Sequence, residues 1–172
     1  MSFNLLGQDS LIQMINFSTS SNLNNWQITN DGVMGGVSKS NLIINNEGHA
    51  HFSGQISLDF NGGFASFRSN NQTFNMQNFS KILIYLKGDK KNYQLRLKEN
   101  NSDYFSYVST FKSSGKWEII ELLLADFIPT YRGLKLDRAN FHGNSIDQIG
   151  ILIGNKKNED FDLLIDKITF EY

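Results

Sequence analysis

His49 and His51 stand two residues apart in a run of alternating character, so both imidazoles leave one face of a strand. That is the minimal geometry for two metal ligands, but two imidazoles alone hold a metal poorly unless an Asp or Glu closes the site from a neighbouring strand. A solvent-facing pair is the plainer reading, and no metal is expected. Nucleophilic catalysis finds no support either: there is no Gly-x-Ser-x-Gly elbow, and His49, His51 and His142 are flanked by no triad partners. The absence of cysteine removes thiolate nucleophiles, iron–sulfur ligation and disulfides. Carboxylates for glycoside hydrolysis can be drawn from Asp31, Asp89, Asp103, Glu118 and Glu121, but sequence places no two of them at a working separation. No catalytic residue is therefore assigned, no cofactor is expected, and the chain is expected not to be an enzyme.

Binding chemistry is better served. Asn30-Asp31-Gly32-Val33-Met34-Gly35-Gly36-Val37-Ser38 and Asn61-Gly62-Gly63-Phe64-Ala65-Ser66-Phe67-Arg68 are two glycine-rich bends. Such bends suit positive φ or a close backbone approach. Neither has the spacing of a phosphate loop or a dinucleotide fingerprint. The expectation is that the two bends lie side by side and form the surface on which function depends. Period two puts Arg68 on the face of Phe64 and Ser66. If that face is the core side, the guanidinium needs a partner, and an ion pair with Asp31 or Asp89 would pin the bends together. Otherwise Asp31, Arg68 and Arg96 form the polar floor of a recognition site for a carboxylate or a polar sugar. Met34 is either buried or a soft anchor for a partner surface.

The elements that must position these residues are strands. Residues 51–60 alternate Phe52, Gly54, Ile56, Leu58 and Phe60 with polar neighbours, the mark of a strand with one wet face. Similar short runs occupy 80–87, 92–99, 104–111, 116–123, 145–154 and 161–172, punctuated by turn-rich segments. With a single proline, 14 glycines and 14 phenylalanines, this predicts an all-β, single-domain antiparallel β-sandwich of jelly-roll type. Trp26 and Trp117 are expected in its core. Residues 82–86 and 149–153 are apolar on both faces, which calls for cover by the N-terminal segment or by the long loop 126–144, or leaves an apolar patch around Leu83, Tyr85 and Leu152.

Sixteen Lys and Arg against 17 Asp and Glu leave a net charge of −1, with no field to hold a polyanion, so nucleic acid is not an expected partner. No apolar stretch approaches the ~18 residues of a membrane span, so direct membrane insertion is not expected. The first basic residue is Lys39, which argues against a secretory or mitochondrial leader and gives a cytoplasmic expectation.

The order of several motifs resembles a known family. Trp26, the run Met34-Gly35-Gly36-Val37-Ser38, Gly62-Gly63-Phe64-Ala65-Ser66, Lys87-Gly88-Asp89 with Tyr93, Trp117, and Phe127-Ile128-Pro129-Thr130-Tyr131-Arg132-Gly133 resemble the complex I intermediate-associated protein 30 family. The resemblance runs from Trp26 to the last strand, giving a family-like core over 26–172 with residues 1–25 as a segment packing on it. It implies a galactose-binding-like sandwich and a non-enzymatic assembly-chaperone role toward a protein partner, an intermediate of a respiratory complex. Lys90 departs from a Gly-Asp-Gly pattern, and Leu122-Leu123-Leu124 from an apolar run with proline. The binding surface so inferred comprises Asp31, Met34, Gly35, Gly36, Ser38, Gly62, Gly63, Phe64, Arg68, Asp89 and Arg132. The alternative is a carbohydrate-binding module, since sandwiches of this kind often take sugars and residues 161–168 resemble the last strand of such modules.

Overall fold

Period-two alternation becomes two antiparallel sheets in the computed structural model, which describes residues 14–172. The first half of the chain supplies β1 (Met14–Asn16), β2 (Trp26–Ile28), β3 (Lys39–Ile44), β4 (Ala50–Ile56), β5 (Ala65–Ser69), β6 (Phe74–Asn75) and β7 (Lys81–Lys87). The second half supplies β8 (Asn92–Lys98), β9 (Ser106–Lys112), β10 (Trp117–Leu123), β11 (Ile128–Tyr131), β12 (Leu134–Lys135), β13 (Ser145–Ile146), β14 (Gln148–Ile153) and β15 (Glu159–Glu171).

One sheet runs β10-β7-β15-β4-β3 and the other β12-β11-β9-β8-β14-β5-β2, while β6 and β13 form a small ribbon. Strand β15 is long enough to serve two neighbours on one side. It pairs with β4 through Glu159–Ile165 and with β1 beyond a bulge between Ile165 and Lys167. Inward residues of both sheets meet in an aromatic centre. The Phe52 ring lies 4.8 Å from Phe67 across the sandwich and 4.8 Å from Phe161 beside it, and Trp26 packs on Phe67 at 5.5 Å. Such tilted ring pairs add to the burial of large apolar faces. The all-β antiparallel sandwich expected from the alternation is the fold observed.

Four local expectations change. The strand expected over 51–60 ends at Ile56, and Asp59–Asn61 forms a short 3-10 turn. Residues 145–154 divide into β13 and β14. The stretch 126–144 contains the hairpin β11–β12, which widens the second sheet by pairing β11 with β9. Trp117 is not in the core: it is 47% exposed on the outer face of β10, with its ring 4.6 Å from that of His49. Of the N-terminal segment, Met14–Asn16 joins the first sheet and the Phe17 ring packs on Trp26 at 5.6 Å; residues 1–13 lie outside the described residues. Among the described residues no helix is long and apolar enough to cross a membrane.

Candidate functional site: a clamped pair of bends at the head of a basic groove

Asp31 opens a short 3-10 turn, Asp31–Met34, and its carboxylate turns inward until the residue is only 1% exposed. Oδ1 accepts the Ser38 N–H at 3.0 Å. Oδ2 accepts the Gly63 N–H at 2.7 Å, the Phe64 N–H at 3.3 Å and the Ser38 hydroxyl. The Ser38 Oγ in turn accepts the Ser57 N–H at 3.0 Å. Backbone bonds run alongside, from Asp31 N–H to the Phe64 carbonyl at 3.3 Å and from Thr29 N–H to the Ser66 carbonyl at 2.9 Å. The two glycine-rich bends therefore lie side by side, joined through one buried carboxylate. Side chains would block that approach: a Cβ on Gly36 would sit 2.4 Å from Asp31 Cγ, and one on Gly62 would sit 2.7 Å from Oδ2. Burial alone would raise the Asp31 pKa, but the Ser38 hydroxyl and the N–H groups of Gly63, Phe64 and Ser38 together outweigh it and hold the carboxyl below its ordinary value.

The expected ion pair of Arg68 with Asp31 or Asp89 does not form. Ala65, Phe67 and Ser69 take the inward positions of β5, so Phe64, Ser66 and Arg68 face out. A cradle of backbone N–H groups satisfies Asp31 without burying a guanidinium beside it, which avoids desolvating a second charge. Asp31 is consequently not available as the floor of a recognition site. Asp89 is also engaged elsewhere: it accepts the Tyr93 hydroxyl, Lys91 Nζ and the Asp162 N–H, each at 2.9 Å. Burial first, and the Asp89 charge second, raise the Tyr93 phenol well above its ordinary value.

The outward face of the second sheet forms a groove of about 460 Å³. Its head is made by Met34, Gly63 and Phe64, and Tyr104 and Tyr131 close its far end with rings 5.2 Å apart and inclined at 80°. Between them, period two on β8 presents Gln94, Arg96 and Lys98 together. Arg132 and Gly133 form the two-residue turn of the β11–β12 hairpin with φ of 49° and 79°, the positive pair a tight hairpin turn demands, and this sets Arg132 on the groove wall. Its guanidinium lies 5.3 Å from the Tyr131 ring centre.

The residues named from sequence thus divide. Met34, Gly63, Phe64, Arg68 and Arg132 line the groove; Asp31, Gly36, Ser38 and Gly62 build the clamp behind it. Gly35 ends the 3-10 turn at φ 91°, and Asp89 stands apart with Tyr93. Lys98, Gly150 and Tyr104 line the groove without having been singled out, although the alternation of β8 carries the signal for Lys98 as plainly as for Arg96. His51 on β4 and Asp162 on β15 are neighbours in the first sheet, with His51 Nε2 2.9 Å from the carboxylate, and among the described residues no three of His, Cys, Asp or Glu gather as metal ligands.

Solved structures similar to this chain include carbohydrate-binding modules. The family 11 module of the cellulosomal cellulase Lic26A-Cel5E of Clostridium thermocellum superposes with a TM-score of 0.69 at 16% identity, covering 94% of this chain and 95% of that one. A family 29 carbohydrate-binding module gives 0.56 at 14% identity, covering 92% and 87%. At these identities the likeness concerns the fold alone. Among curated proteins, the probable complex I intermediate-associated protein 30, mitochondrial, of Caenorhabditis briggsae is 29% identical over 177 residues, covering 88% of this chain and 52% of its own length. The chain thus spans about half the length of the curated relative it matches. That relative's mitochondrial name overturns the cytoplasmic expectation, which rested on the absence of basic residues before Lys39 and of a membrane-length apolar stretch. The family model described as complex I intermediate-associated protein 30 matches residues 15–165, and this chain belongs to that family.

Proposed function

We propose that this domain is a non-enzymatic binding module that holds a partner protein while complex I is assembled, the association carried in the name of its curated relative. The observation that supports the reading is a set of apolar side chains left in solvent on the two bends. Val33 is 75% exposed, Met34 57% and Phe60 72%. Phe60 and Asn61 both hold positive φ, 55° and 59°, a conformation costly for a side chain of this size. A bulky ring kept in solvent on a strained backbone contributes little to the core and is suited to enter a partner's pocket. Met34 belongs both to this apolar end and to the groove, so the two form one continuous surface.

The test is recovery of complex I subunits on the tagged full chain from gently solubilised membranes, compared with Phe60→Gly and Met34→Ser. Subunits retained by the wild type and lost by both variants support the reading. Equal recovery by all three, or no subunit recovered by any, overturns it.

A carbohydrate-binding role is the second reading, favoured by Tyr104 and Tyr131 at the groove's end and by the amide side chains of Gln94 and Gln148 along it. Titration with a β-1,3-1,4-linked glucan tetrasaccharide would show saturable heat that Tyr104→Ala abolishes; no heat removes the option.

A further inference from the structure

The centre of the groove is a single rung of the sheet in which Arg68 on β5 pairs with Gly150 on β14, and Gly150 pairs with Arg96 on β8. Two strand spacings put the arginine Cα atoms roughly 10 Å apart. The residue between them has no side chain. A Cβ on Gly150 would lie 2.6 Å from the Phe67 carbonyl and 2.9 Å from Arg68 Cβ, so the floor between the two guanidinium groups has to stay bare. Lys98, paired with Gln148, adds a third cation two residues further along β8.

Among the described residues no Asp or Glu lines this groove. Among the described residues Arg68, Arg96 and Lys98 take part in no ion pair. Arg68 Nε is buried without a hydrogen-bond partner. Arg96 Nη1 donates to the neutral Gln94 Oε1 at 3.2 Å, and Lys98 Nζ donates to the Asp103 carbonyl at 2.6 Å. Burial lowers the pKa of Arg96. Burial, and then the charge of Arg68, lower that of Lys98. The Asp103 charge partly offsets this at Lys98, whereas Arg68 and Arg96 have no such counter-charge, and cations withdrawn from water in this way carry a standing cost that an anionic ligand would relieve.

We infer that the groove binds an extended acidic peptide segment of the partner, its carboxylates received by Arg68 and Arg96 across Gly150 and its apolar side chains lying against Met34, Phe64 and Leu152. This rests on the reading of the domain as a protein-binding module. Guanidinium forks match carboxylates in pairs, and two of them on one rung suit acids a few residues apart. A neutral glycan would leave both unpaired. Among the described residues no tryptophan lines the groove, and Tyr104 and Tyr131 meet edge to face, so a sugar ring could stack on one of them but not along both.

The experiment is calorimetric titration of the full chain with an acetylated hexapeptide of alternating Glu and Leu, its Gln and Leu counterpart, an oligogalacturonate and inorganic phosphate. The Glu peptide should bind at least about tenfold more tightly than the Gln peptide, lose affinity as salt rises, and weaken by about tenfold or more in both Arg68→Gln and Arg96→Gln. If Arg68→Gln does not fold, Arg96→Gln and Lys98→Gln carry the same comparison. Equal binding of the two peptides, no binding of either, or unchanged binding in the variants overturns the inference. Oligogalacturonate or phosphate binding as tightly as the Glu peptide also overturns it, in favour of an acidic glycan or a phosphate site. Failure here alongside loss of subunit recovery in Phe60→Gly would sink the acidic-segment inference alone. Peptide binding without any subunit recovery would sink the assembly role alone.

Discussion

Arg68 stands directly opposite Gly150 on the neighbouring strand: the position where a Cβ would stand on the glycine is 2.9 Å from the arginine's own Cβ. Strand β14 gives up a side chain at this point so that β5 can pack close beside it, and the groove floor depends on that vacancy.

Gly150→Ala should therefore cost stability, by about 1–3 kcal/mol as an overpacking substitution, because the nearest atom is the backbone carbonyl of Phe67 and cannot swing aside. Gly32→Ala is the control, since nothing lies within 4 Å of its Cβ position. Urea unfolding of the two variants beside the wild type would separate them; equal midpoints would refute the close packing.

Asp31→Asn replaces an acceptor-only group with an amide whose NH2 meets N–H donors, and should lose about 3 kcal/mol at neutral pH. The acid dependence follows from the lowered pKa. Because the folded carboxyl sits below its ordinary value of 3.8, the unfolded state binds a proton first. The contribution of Asp31 is complete above that value and disappears as the pH falls through the folded-state pKa. Urea midpoints followed downward from neutral pH should fall more steeply for the wild type than for Asp31→Asn.

Phe60→Gly should leave stability unchanged or raise it by about 0.5 kcal/mol, since glycine occupies positive φ freely and the lost ring is mostly in water. Thermal unfolding measures this. A fall of several degrees would mean that the ring serves the fold instead of a partner.

How far the sequence reaches is clear from three residues. Arg96 and Lys98 share a face by alternation alone, so their companionship is written in the chain. Their meeting with Arg68 is not, because it needs the antiparallel register of β5, β14 and β8, and pairing between distant strands leaves no local mark. Asp31 was legible as a turn residue, but its partners Gly63 and Phe64 act through backbone N–H groups 32 and 33 residues away, a donor every residue except proline possesses. The β11 strand escaped notice because Pro129 interrupts a short run inside a long polar stretch.

The two tryptophans offer a direct optical check of the two faces. In Trp26→Phe the remaining Trp117 should be strongly quenched by acrylamide, being 47% exposed. In Trp117→Phe the remaining Trp26, packed between Phe17 and Phe67, should be quenched several-fold less. Similar quenching constants would contradict the placement of Trp117.

The β11–β12 hairpin borders the groove yet belongs to it only lightly: β12 is two residues long, stands at the sheet's margin and is tied to the sandwich through β11. A border of this kind can lengthen, shorten or trade Tyr131 and Arg132 for other residues without disturbing a single inward phenylalanine. Selectivity and durability are thus assigned to separate parts of the molecule, and one can drift under selection while the other is conserved by packing.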